Sequence, residues 1–95
     1  RSVYETIFKA VDETPGAINP HMTRVRKISN LYVIDIDIEV DGNLTVTAAH
    51  GIAMSVEKEI KKHIQNVYDI MVHVEPRGNI ETREKFGVSE ESVDT

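Results

Sequence analysis

The ten residues Leu31 to Val40 alternate without a break, and that alternation decides most of what this chain can become. Side chains along a β-strand point to opposite faces in turn. Tyr32, Ile34, Ile36, Ile38 and Val40 therefore share one face, and Leu31, Val33, Asp35, Asp37 and Glu39 share the other. The first face has to be buried, so the strand belongs to a sheet covered on one side. The second face turns from apolar to acidic along its length. Asp41-Gly42-Asn43 then supplies a turn.

A second stretch, Tyr68 to Glu75, has the same period. Ile70, Val72 and Val74 face one way, and Met71, His73 and Glu75 face the other. An imidazole and a carboxylate two residues apart make a plausible bite for a divalent metal such as zinc. Solvated strands often carry such a pair by chance, so its meaning depends on which other ligands converge on it. Met22 to Ser29 reads as a further strand, made basic by Arg24, Arg26 and Lys27, and Ser29-Asn30 is a turn.

Two helices complete the pattern. Ser2-Val3-Tyr4-Glu5 fits a capping box, and Val3, Tyr4, Ile7, Phe8 and Val11 recur at helical spacing until Pro15-Gly16. This predicts a helix from about Val3 to Glu13, followed by a loop from Gly16 to Pro20 that His21 closes. Thr45 or Thr47 caps the other helix, which runs to about Ile64. Its buried stripe is Val46, Ala49, Ile52, Ala53, Val56, Ile60 and Ile64. Glu57 and Lys61 form a favourable i, i+4 pair, and His50 sits at the edge of the stripe. His63, near the helix C-terminus, favours the dipole as a cation and reads as structural.

The resulting order is α-β-β-α-β. The second link between strands is long enough for a right-handed crossover, which makes those two strands parallel. The expected fold is a two-layer α+β sandwich with the helices on one sheet face. Asp35, Asp37, Glu39, Met71, His73 and Glu75 lie on the other, open face. After Pro76 apolar residues thin out, so residues 1–76 read as the domain and 77–95 as a loosely ordered tail.

Composition narrows the function. A formal net charge of -5 disfavours nucleic acid as a partner. The absence of cysteine removes disulfides and thiolate chemistry, so any metal site must be built from His, Asp and Glu. No segment reaches the roughly 20 apolar residues that span a bilayer. The chain starts with Arg, so it is expected to be a processed product or a piece of something larger. There is no Gly-rich phosphate loop and no nucleophile motif, which argues against an enzyme.

Several segments together resemble one family. His21-Met22-Thr23-Arg24-Val25-Arg26 resembles the His-x-x-Arg-x-Arg entry to the cytoplasmic C-terminal domain of cation diffusion facilitators, the zinc-type cation efflux transporters. Val33 to Asp41 resembles that domain's acidic second strand, and Leu44-Thr45 with Ala49-His50 its capped helix. Val72-His73-Val74-Glu75-Pro76 resembles its closing strand.

The resemblance implies a ferredoxin-like, metallochaperone-like fold and a homodimer on the cytoplasmic side of the cell membrane. It also implies attachment to the transmembrane part of the same full-length protein. The domain would bind zinc or another divalent transition metal near the dimer interface and so couple the cytosolic metal level to transport. Carried over by position, the metal ligands fall on His21, Asp37, His50, His73 and Glu75. Asp35 and Glu39 share the face of Asp37 and could serve in its place. Some zinc-rich members have His where this chain has Asp37, and Asp where it has Glu75, so the site here is harder. The competing reading is a small-ligand regulatory module of ACT type, but such modules begin with a strand and this chain with a capped helix.

Overall fold

A computed structural model describes residues 2–78. The element order is α1 (Val3–Asp12), β1 (Ile18–Ile28), β2 (Leu31–Val40), α2 (Val46–His63) and β3 (Val67–Pro76). The predicted tail beyond residue 78 lies outside the described residues.

The three strands form one sheet in the order β1-β2-β3. β1 and β2 are antiparallel and join through the two-residue turn Ser29-Asn30, with Ile28 opposite Leu31. β2 and β3 are parallel, with α2 as the crossover. This is the expected α+β two-layer sandwich.

The core follows from the alternation. Ile34, Ile36 and Ile38 are fully buried and Val40 nearly so. They meet Ile7, Phe8, Ala10 and Val11 of α1, Val56 and Ile60 of α2, and Ile70 of β3. Burying each large aliphatic side chain is worth about 2 kcal/mol, which makes the helix-side sheet face the main source of stability.

Both helix starts are capped as predicted. The Ser2 hydroxyl accepts from the Tyr4 N–H, and Thr45, rather than Thr47, accepts from the Ala48 N–H. α1 ends one residue before the predicted boundary. Gly16 then turns the chain at φ 89°, and a Cβ there would sit 2.8 Å from the Ile52 side chain, so the position needs glycine twice over. Val46 departs from the predicted stripe. It is 87% exposed.

β1 departs most from expectation. It begins at Ile18, not Met22, so the predicted Gly16–Pro20 loop is largely strand. Its pairing with β2 shifts register between Ile18 and His21 and again between His21 and Arg24. Asn19 and Met22 adopt positive φ values of 53° and 47°. Bulges of this kind bend a strand and re-aim its side chains. They also break the two-residue period, which is why the first half of β1 does not read as a strand. The far half is tied to α1 by the Val25 N–H, which donates to the Tyr4 hydroxyl at 3.3 Å.

The bulged start of β1 also changes the open face. Met71 remains half exposed there, but Glu39 is 3% exposed and His21 6%. One end of the face is therefore covered by the chain itself.

Candidate metal centre

Three ligand types meet at that covered end. β1 and β2 pair His21 with Asp37, and β2 and β3 pair Asp37 with His73 and Glu39 with Glu75. Register partners point to the same side, so all these groups project from one sheet face. The bulges turn the His21 ring inward. Its Nε2 lies 3.1 Å from Glu75 Oε1 and 4.0 Å from Asp37 Oδ2. One ligand atom from each of His21, Asp37 and Glu75 lies within 4.8 Å of the other two.

The His21 ring is fixed from behind. Its Nδ1 lies 2.9 Å from the Asn19 carbonyl, which can only accept, so the proton is on Nδ1 and donates to it. Nε2 faces carboxylates. Burial alone would lower the pKa of this ring. The Asn19 carbonyl and the charges of Glu75 and Asp37 outweigh it, so the pKa is raised above the ordinary 6.5. When protonated, the ring donates on both sides, to the Asn19 carbonyl and to Glu75.

The other predicted ligands are not part of this three-residue cluster, although His73 neighbours Asp37. His73 is exposed and lines a shallow depression with Met22, Arg24, Asp35 and Asp37. His50 is exposed on α2. The two alternatives to Asp37 have other engagements. Asp35 lies 3.9 Å from Arg26 Nη2 across the hairpin, as the cross-strand pairing of the basic and acidic strands predicts. Both Glu39 oxygens accept hydrogen bonds, from Asn19 Nδ2 at 2.7 Å and from the Gly78 N–H at 3.2 Å.

Sequence reasoning did not anticipate the contribution of Asn19. The signal was present, since Asn tolerates the left-handed region that a bulge next to His21 requires. A second cluster, Glu13, Glu59 and His63, joins the ends of the two helices. His63 Nε2 lies 3.4 Å from Glu13 and 3.8 Å from Glu59, and Lys62 lies 3.1 Å from Glu59. With its own ammonium group in place and with Glu13 and His63 exposed, it reads as a surface polar network that joins the ends of α1 and α2. This extends the structural role expected for His63.

The solved metal-bound C-terminal domain of the CzcD transporter from Thermotoga maritima is 39% identical, covering 83% of this chain and 92% of that one, with a TM-score of 0.78. A MamM C-terminal domain in a cadmium form is 27% identical over 79% of this chain and 94% of that one, with a TM-score of 0.75. Metal tolerance protein 2 of Oryza sativa subsp. japonica is 30% identical over 73 residues, 77% of this chain. The manganese efflux system protein MneP of Bacillus subtilis (strain 168) is 30% identical over 53 residues, 56% of this chain. The matched segments span 19% and 18% of those two proteins. The family described as cation efflux protein, cytoplasmic domain, matches residues 1–77, and the chain belongs to that family.

Proposed function

We propose that this domain binds a divalent transition metal at its covered sheet end and acts as the metal-responsive part of a cation efflux transporter. His21, Asp37 and Glu75 would hold the ion. The observation that carries this reading is their convergence: one imidazole and two carboxylates from three strands, with ligand atoms within 4.8 Å. The donor set fits. A ring whose Nδ1 proton is committed to a carbonyl offers Nε2 to the ion, and the carboxylates supply negative charge. One nitrogen and several oxygens suit zinc, and suit harder ions such as manganese better than an all-histidine site would.

The remaining predicted ligands extend the reading to a homodimer. His73 and His50 are exposed and so accessible to a second copy of the chain. Met71, 50% exposed on the same face as His73, would supply apolar contact between copies. A site near such an interface would link metal binding to the distance between protomers, and through the segment before Ser2 to a membrane part of the full-length protein.

Calorimetric titration with zinc and with manganese tests the reading. Wild-type protein should bind at least one of them, and His21→Ala should lose most of the affinity. Equal binding by wild type and His21→Ala would refute the assignment.

A further inference from the structure

Glu39 is the only buried carboxylate among the described residues, and the metal group does not use it. Burying a carboxylate is costly unless its oxygens are hydrogen-bonded. Here both are, and the partners show what the arrangement does. Oε2 takes the side-chain N–H of Asn19 at 2.7 Å, and Oε1 takes the backbone N–H of Gly78 at 3.2 Å. The backbone carbonyl of the same Asn19 takes the Nδ1 proton of His21 at 2.9 Å. Asn19 sits at φ 53°, in a bulge, where it has no regular ladder to hold its carbonyl in place.

We propose that Glu39 and Asn19 are positioning residues for the metal centre. Glu39 clamps the Asn19 amide, the clamped Asn19 presents its carbonyl to Nδ1 of His21, and the ring is thereby locked with Nε2 aimed at Asp37 and Glu75. The inference rests on the metal-site reading above and adds to it two residues that touch no ion. Such partners behind a ligating histidine typically alter metal affinity by about 10-fold to 100-fold when removed. The Gly78 contact extends the clamp to the segment that follows β3, so the chain on both sides of the site holds the same carboxylate.

Zinc titrations of wild type, Glu39→Gln, Asn19→Gly, the double variant and His21→Ala test this. Glu39→Gln keeps the shape but turns one acceptor into a donor. Asn19→Gly removes the amide and keeps the positive φ at no steric cost. Each single variant should weaken zinc binding about 10-fold, and the double variant should lose no more than about 10-fold, because the two act in series. Long-range proton–nitrogen NMR of the zinc-loaded protein should show His21 in one form, protonated on Nδ1, in wild type and in mixed forms in Asn19→Gly. If Asn19 is present only for its backbone conformation, Asn19→Gly will bind like wild type with one ring form, and the proposal falls. Should Glu39→Gln fail to fold, Asn19→Gly decides alone. If wild type binds neither zinc nor manganese, or His21→Ala binds as well, the metal reading is refuted and this proposal with it; if wild type binds manganese alone, the same variants are compared with manganese. If His21→Ala loses binding while both positioning variants retain it, only the positioning role is refuted.

Discussion

Acidification should remove metal from the His21 site with a slope of one proton per ion. The perturbation is pH alone, applied to a His50→Ala/His73→Ala background so that only the His21 group remains. That group holds a single imidazole, and the ring must lose its Nε2 proton before an ion can take its place. Below the pKa of the ring, each pH unit therefore costs about tenfold in affinity, or about 1.4 kcal/mol. The Asn19 carbonyl and the neighbouring carboxylates raise that pKa above 6.5, so the loss begins above pH 6.5 rather than below it. A site of carboxylates alone would hold until about pH 4 to 5. The metal-free fold should respond in the opposite sense. A raised folded-state pKa adds stability that is fully present below about pH 6.5 and is lost as pH rises through the folded-state value. Metal-free protein should thus melt lower at pH 8 than at pH 6, while zinc-loaded protein melts higher. Calorimetry in two buffers of different ionisation enthalpy counts the protons directly. Near-zero proton release at pH 6, with an affinity flat from pH 7.5 to 5.5, would refute the reasoning.

Three further outcomes are expected. Zinc at a hundredfold over its dissociation constant should add about 2.7 kcal/mol, several degrees in a thermal melt, and His21→Ala should abolish the shift while His63→Ala keeps it. Met71→Glu should move the protein toward monomer in sedimentation velocity, and an unchanged profile would place the interface elsewhere. A spin label at Lys9→Cys, clean because the chain has no native cysteine, should report a shorter or narrower inter-protomer distance with zinc; identical distributions with zinc bound would make the metal a structural clip.

β2, β3 and both helices were legible because each rests on one unbroken period. Ile34, Ile36, Ile38 and Val40 alternate into the core, and Ser2 and Thr45 sit where a cap is needed. Of the candidate site, alternation alone pointed to Glu75, with His73; His21 and Asp37 were reached through resemblance, because the geometry around His21 depends on where the period fails. Two register shifts in β1 and positive φ at Asn19 and Met22 carry His21 from a supposed loop end into a buried position. No spacing rule distinguishes Asp37 from Asp35 and Glu39 on the same face. The distinction arises from what lies opposite: Arg26 near Asp35, the bulge at Asn19 near Glu39, and the His21 ring near Asp37. His50 and His73 carry the same ambiguity in the other direction, since their exposure in one chain says nothing about what a second copy brings.

Charge sets the scale of any response in the proposed dimer. Asp37, Glu39 and Glu75 crowd one end of a sheet face in a chain of formal net charge -5. Glu39 is held by neutral N–H groups, whereas Asp37 and Glu75 are the carboxylates that face the His21 ring. In the metal-free state at low pH the ring beside them is an imidazolium. An entering divalent ion displaces the ring proton, so the local gain is one charge, not two. At higher pH, where the ring is already neutral, the gain is the full two. The repulsion that the ion relieves between facing protomers is thus larger in alkaline than in acid solution. It is screened beyond roughly 8 Å at physiological salt and so acts only between surfaces near contact. A tightening of the dimer driven by this exchange should grow with pH and shrink with added salt. One driven by a bridging ligand such as His50 or His73 should persist in salt, because coordination bonds are not screened.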